Sequence, residues 1–240
     1  MQAIDYAALA LFILSWTLYS HITNGTIRLF ERESLTRVMT EHRRRWILNS
    51  LRRDLKMIDT QILAGLQNGT AFFASTSIFA LGGCFALLGA TEKVDAIFRD
   101  LPIAFQGGRT AFELKVGGLT GLFGYAFFKF GWSYRLFNYC TILFGGLPML
   151  EEARRDPAAA RAAAERVIRM NAIAAGHFNA GLRAIFLSIG YLGWFVNAYL
   201  FLVTTAFVLV ILVRRQFFSP ARQLLMEDMR DEDVDESTGD

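Results

Sequence analysis

Residues 184–213 form an uncharged, strongly apolar run that ends at Arg214 and Arg215. As one helix at about 1.5 Å per residue it would be about 45 Å long, whereas the hydrocarbon core of a bilayer is about 30 Å thick. Such a run is typical of a membrane protein and is too long for one upright crossing. The sequence therefore predicts two helices here, joined by a turn at Asn197-Ala198.

The remaining apolar segments extend this pattern along the chain. Hydrophobic residues make up 53% of the composition, with 22 Phe, which is high for a soluble domain. We predict an all-α, multi-pass helical membrane protein with five crossings, or with four if the last run crosses only once. The predicted spans are residues 5–22, 70–90, 116–135, 172–196 and 199–213.

The distribution of Lys and Arg predicts the orientation. Residues 23–56 contain nine Lys or Arg and residues 151–169 contain five Arg, whereas residues 91–115 contain four that are balanced by four acids. Because positive charge accumulates in cytoplasmic loops, the first and third connections are expected in the cytoplasm. The N-terminus is then expected outside and the C-terminus inside.

Several helical segments continue past the predicted bilayer on the cytoplasmic side only, which predicts a cytoplasmic helical layer. One of them, near residues 35–46, is a basic amphipathic helix with a Trp. It would either lie on anionic lipid headgroups or pack on the protein's own helices. The residues assigned to headgroup contact are Arg43, Arg44, Arg45 and Trp46.

The chain divides into one membrane domain, residues 1–218, and an acidic tail, residues 219–240. Residues 225–240 hold eight acids and one Arg. A segment with so much charge and so little apolar content is expected to be a disordered cytoplasmic tail.

A small set of polar side chains interrupts the apolar segments. Asn179 and Arg183 are four residues apart and so share a helix face, as do Arg135 and Asn138 at a spacing of three. These groups would line a polar pathway or, alternatively, join helices by hydrogen bonds. The candidate set is Ser75, Thr76, Lys129, Arg135, Asn138, His177, Asn179 and Arg183.

No arrangement typical of a catalytic site is visible, and the spacing of His, Cys and acidic residues predicts no metal site. We therefore expect a protein without enzymatic activity and without a cofactor. The expected partners are the lipid bilayer, anionic headgroups, and a second copy of the chain or another membrane protein. Nucleic acid is not expected.

Four motifs resemble one known family. They are Phe72-Phe73-Ala74-Ser75-Thr76, Phe127-Phe128-Lys129-Phe130, Arg135-Leu136-Phe137-Asn138-Tyr139, and His177-Phe178-Asn179 followed by Gly181-Leu182-Arg183. Together they resemble the domain of unknown function 599 family, multi-pass membrane proteins of bacteria and plants. The resemblance covers about residues 5–218 and implies a bacterial inner membrane as the location.

For function, the cationic groups near the inner membrane face favour a homo-oligomeric channel or pore with a cationic cytoplasmic mouth. The alternative is a non-catalytic accessory or scaffold subunit of a larger membrane complex, which the Phe-rich surface and the acidic tail would suit.

Overall fold

A computed structural model describes residues 2–25, 32–90 and 108–238, with side chains to residue 229. This part of the chain is helical and contains eight α-helices and one 3-10 turn, which confirms the all-α prediction. The elements are α1 Ala3–Thr23, α2 Leu35–Ser50, α3 Met57–Gly89, α4 Gly108–Gly145, α5 Leu150–Arg155, α6 Pro157–Tyr191, the 3-10 turn Leu192–Phe195, α7 Ala198–Phe217 and α8 Pro220–Thr238.

Within the described residues, four helical segments are long and apolar enough to cross a membrane: Ala3–Thr23, Met57–Gly89, Pro157–Phe195 and Ala198–Met229. They contain the predicted spans 5–22, 172–196 and 199–213 almost entirely, and 70–90 up to its last residue. The predicted span 116–135 lies in α4, which is longer than any of the other helices but falls outside this group. Its glycines, Lys129 and Trp132 lower the mean hydropathy of that stretch.

The long helix α4 lies between α3 and α6 and runs antiparallel to both. Against α3, Gln67 Nε2 donates to Asn138 Oδ1 over 2.9 Å near one end, and Gly124 approaches Leu81 further along. Against α6, Ser133 Oγ donates to the Ala174 carbonyl oxygen over 2.7 Å. Because neighbours cover both sides of α4, this helix needs fewer apolar residues than one that faces lipid.

A hairpin connects α6 and α7, as the length of the apolar run predicted. The turn begins at Leu192, about five residues earlier than predicted, and Asn197 instead caps α7 by accepting from the Leu200 N–H over 2.7 Å. The hairpin is tight because a Cβ at Gly193 would lie 2.9 Å from the Leu200 carbonyl oxygen. We call the end of the bundle that contains residues 192–197 the hairpin end, and we call the opposite end the α2 end.

The acidic C-terminal segment forms the helix α8, whereas the sequence predicted a disordered tail over 219–240. Pro220 begins the helix, a position at which its missing N–H is not needed. The half-buried Leu225 and Met229 are four residues apart, and the Leu225 carbonyl oxygen lies 3.1 Å from His42 Nε2 of α2. This contact attaches α8 to α2 near His42.

Candidate functional site

A cavity of about 180 Å³ lies between α1, α2, α6 and α7, toward the α2 end of the bundle. Its apolar lining residues are Leu35, Met39, Leu182, Phe186 and Leu212. Its polar lining residues are Tyr19, Thr23, Thr36, Arg43, Asn179, Arg183, Arg215 and Gln216. We refer to it as the arginine cavity, because three guanidinium groups line it.

The three arginines reach the cavity from three different helices: Arg43 from α2, Arg183 from α6 and Arg215 from α7. Arg183 is only 8% exposed, and its Nε has no hydrogen-bond partner in the described structure. Arg215 is exposed at its outer side and lies over the Phe186 ring, 5.8 Å from the centroid. None of the described residues that line the cavity is an Asp or Glu.

Arg43 lines the cavity, whereas its neighbour Arg44 faces an acidic residue. The Arg44 guanidinium forms an ion pair with Glu165 of α6 over 2.9 Å. Burial lowers the pKa of the Arg43 guanidinium from its ordinary value. An arginine starts from so high a pKa that the group stays charged, so the cavity wall keeps a positive charge without a carboxylate to neutralise it.

Hydrogen bonds between helices hold α2 over the cavity. Ser34 Oγ donates to the Thr23 carbonyl oxygen over 3.2 Å, which joins the start of α2 to the end of α1. Gln216 Nε2 of α7 donates to Thr36 Oγ1 over 2.7 Å, at the cavity wall itself. These two bonds attach the start of α2 to α1 and to α7.

Two of the predicted polar residues, Asn179 and Arg183, meet at this cavity, as their four-residue spacing on one face predicted. His177 precedes Asn179 by two residues on α6. It lies close enough to Lys129 of α4 to interact with it electrostatically. The Lys129 ammonium also lies over the Tyr125 ring, 5.3 Å from the centroid. His177 and Lys129 are thus near each other, and neither of them lines the arginine cavity.

The other candidates face elsewhere. Asn138 accepts a hydrogen bond from Gln67 of α3, the helix-joining role that was the alternative for this residue. Arg135 is exposed and stacks on Tyr139, with its Nε 2.6 Å from the tyrosine hydroxyl. Ser75 and Thr76 are exposed on the outer face of α3. In a single chain these residues do not line the arginine cavity.

The residues assigned to headgroup contact mostly make contacts inside the protein. Trp46 Nε1 donates to Asp59 Oδ1 over 2.7 Å, and its ring stacks on Phe144 at 6.4 Å. Arg43 lines the cavity, Arg44 pairs with Glu165, and Arg45 is half-buried. The apolar side of α2 therefore packs on the protein's own helices, as the second interpretation of the amphipathic stripe proposed.

Sequence reasoning missed Arg215 as a cavity residue, because it was assigned only to the charged end of the last span. It also missed a buried polar cluster at the hairpin end. There Trp194 Nε1 donates to Asp5 Oδ1 over 2.8 Å, and Lys115 Nζ donates to the Trp194 carbonyl oxygen over 2.7 Å. The sequence signal for this cluster was that Asp5 and Lys115 are single charges at the ends of two predicted spans, where they could pair.

The described part of the chain is thus all-helical, with four segments that are long and apolar enough to cross a membrane, and these features are consistent with an integral membrane protein. Residues 7–221 match the family described as "Protein of unknown function, DUF599", and the chain belongs to that family. This confirms the resemblance carried by the four motifs. No curated protein and no solved structure matches the chain.

Proposed function

We propose that this protein binds an anionic group in the arginine cavity while embedded in a bacterial inner membrane, and that it acts by binding and not by catalysis. One observation carries the proposal. A guanidinium that is 8% exposed, with an unpartnered Nε, lines a cavity together with two further arginines and no described carboxylate. Buried charge is costly unless it is paired, so an anion is the missing partner.

The proposed topology has five crossings, formed by α1, α3, α4, α6 and α7. The antiparallel packing of α4 along α3 and α6 supports α4 as the fifth, since a helix between two spanning neighbours crosses with them. The positive connections lie at the α2 end, which supports a cytoplasmic position for that end under the positive-inside rule. The N-terminus is then outside and the C-terminus inside.

The proposed cytoplasmic layer consists of the parts of the helices nearest the α2 end. They share an apolar cluster that includes Ile47 of α2, Leu63 of α3, Phe144 of α4 and Val167 of α6. A second core is needed if these parts extend beyond the hydrocarbon, because lipid would not cover their apolar faces there. The arginine cavity lies between this layer and the membrane-spanning part of the bundle.

Thermal unfolding of the purified full chain in a neutral detergent tests the binding proposal. Inorganic phosphate should raise the unfolding temperature of the native chain more than sodium chloride does at equal ionic strength. Arg183→Met should abolish that difference. Arg135→Met, which removes an exposed arginine on the outer face of α4, should leave it unchanged.

Equal effects of phosphate on the native chain and on Arg183→Met would refute anion binding at this site. For the topology, reporters that distinguish cytoplasm from periplasm are fused after Gly145 and after the C-terminus. Both should report the cytoplasm, and a reporter inserted at Asn197 should report the periplasm. A periplasmic signal after Gly145 would exclude α4 as a crossing.

The homo-oligomeric channel stays a prediction. Ser75 and Thr76 lie on an exposed face of α3, so they could line a pathway only where copies of the chain associate through that face. Anion efflux from liposomes tests this, and no efflux above that of empty liposomes would exclude it. The accessory-subunit alternative predicts that a mild-detergent pull-down recovers a second membrane protein in stoichiometric amount.

A further inference from the structure

We infer that the anion held in the arginine cavity is the phosphate of an anionic phospholipid, whose headgroup enters the cavity while its acyl chains stay in the bilayer. This inference rests on the proposed function and names the class of ligand. It requires that the cavity favour phosphate, that it have room for a headgroup, and that it lie where lipid headgroups are found.

The charge arrangement suits phosphate. Arg43, Arg183 and Arg215 belong to α2, α6 and α7, so three different helices each contribute one guanidinium group to the cavity lining. A planar carboxylate is satisfied by one guanidinium fork, whereas a tetrahedral phosphate offers oxygens in several directions. Asn179 and Gln216 also line the cavity with side-chain amides, and one N–H of the Gln216 amide already donates to Thr36 Oγ1.

The mixed lining suits an amphiphile. Leu35, Met39, Leu182, Phe186 and Leu212 line the cavity together with the arginines, and Arg215 lies over the Phe186 ring. A free inorganic anion makes no use of these apolar groups, since apolar contact does not stabilise a hydrated ion. The glycerol carbons and the first methylenes of a phospholipid would pack against them.

The cavity volume limits how much of the lipid can enter. The cavity volume of about 180 Å³ is below the range of about 300–1,000 Å³ that is typical of pockets for drug-sized ligands. This is enough for a phosphate with its glycerol and far too little for two acyl chains. The cavity is partly open, so the chains can leave it.

The cavity also lies at a depth that a headgroup can reach. Arg183 precedes Trp194 of the hairpin end by 11 residues, about 16 Å along the helix axis, so its Cα lies near the middle of a 30 Å hydrocarbon core. Its long side chain tilts toward the start of the helix, which is the α2 end, and so extends toward the inner headgroups. Thr23 and Arg215, near the ends of α1 and α7, lie closer to the α2 end. Basic pockets between membrane helices on the cytoplasmic side are typical binding sites for anionic headgroups.

The test uses the purified full chain in nanodiscs of phosphatidylcholine, with phosphatidylglycerol, phosphatidic acid or inorganic phosphate added as separate probes. Unfolding temperature and native mass spectrometry report binding. The variants are Arg183→Met and Arg43→Gln, and Arg135→Met is the matched control. We expect both anionic lipids to raise the unfolding temperature, and each cavity variant to weaken lipid retention at least tenfold while the control does not.

The outcomes separate this inference from the proposed function. Stabilisation by inorganic phosphate but not by either lipid, lost in Arg183→Met, would overturn the lipid assignment and keep anion binding. No effect of any probe would overturn both. Retention of lipid that is equal in the native chain and in both cavity variants would show binding elsewhere on the surface and would also overturn the inference.

Arg183→Met is expected to fold, because it replaces an unpartnered buried charge by an apolar side chain of similar length. In lipid-free detergent its unfolding temperature should equal or exceed that of the native chain. Arg43 lies on α2, outside the spanning helices. Arg43→Gln therefore provides a second variant whose use does not require that Arg183→Met folds.

Discussion

The contact between α4 and α6 at Gly181 allows a sharp test of the packing. A Cβ placed at Gly181 would lie 2.7 Å from two ring atoms of Phe130, which is well below the ordinary contact range of 3.4–4 Å. Phe130 is fully buried and cannot move away freely, since it stacks on Phe73 at 5.4 Å and meets Phe178 edge-on at 5.5 Å. Gly181→Ala should therefore force these helices apart.

The magnitude follows from two opposing terms. Replacing glycine by alanine inside a helix is favourable by up to about 1 kcal/mol, while overpacking a tight core costs about 1–3 kcal/mol. Gly176, five residues earlier on the same helix, is exposed, and a Cβ added there would meet no heavy atom within 4 Å. Gly176→Ala should thus show the helix gain alone, and the two variants should differ by about 1–3 kcal/mol.

Unfolding by titration with a denaturing detergent in mixed micelles measures this difference. For a chain of this size, 1 kcal/mol also corresponds to a shift of about 2–4 °C in the unfolding temperature. Phe130→Leu in the Gly181→Ala background should recover most of the loss, giving a coupling of more than about 0.5 kcal/mol in a double-mutant cycle. Equal stabilities of Gly181→Ala and Gly176→Ala, or additivity with Phe130→Leu, would refute the argument.

Three further outcomes are expected. Trp194→Phe removes the donor to the buried Asp5 carboxylate and should lower the free energy of unfolding by about 1–3 kcal/mol, whereas Trp132→Phe, at an exposed position, should change it by less than about 0.5 kcal/mol. Gln67→Leu leaves Asn138 Oδ1 without its donor and should cost about 1 kcal/mol in the same assay. Binding of phosphate to the arginine cavity should weaken as salt rises from about 0.01 to 1 M, since screening shortens the range of the guanidinium charges from about 30 to 3 Å; binding that is insensitive to salt would contradict an electrostatic site.

Part of the candidate site was accessible from the sequence. The spacing of Asn179 and Arg183 placed both on one face of α6, because residues four apart on a helix are neighbours whatever surrounds them. The same reasoning paired Arg135 with Asn138, but the structure divides them between an outer tyrosine contact and the α3 interface. Helical spacing tells which residues share a face and does not tell what that face meets.

Two contacts at the C-terminal end, that of Arg215 with the cavity and that of α8 with α2, were not predicted from the sequence, and for the same reason. Arg215 was interpreted only as a charge that marks the end of a span, and the segment beyond it was judged by its acidic composition. Both judgements are averages over a window. The contribution of Arg215 to the cavity, and the contact of the Leu225 carbonyl oxygen with His42 of α2, depend on which helix lies opposite.

By itself, the sequence determined the helical class, the family, four segments able to cross a membrane and the hairpin near the C-terminus. Helix length, hydropathy and the sum of loop charges are local quantities, so they can be counted along the chain without knowing any neighbour. Only the tertiary structure decided that Arg43, Arg183 and Arg215 line one cavity and that no described acid accompanies them. These residues are distant in sequence and lie on three helices, so their proximity follows from how the helices pack and not from any interval between them.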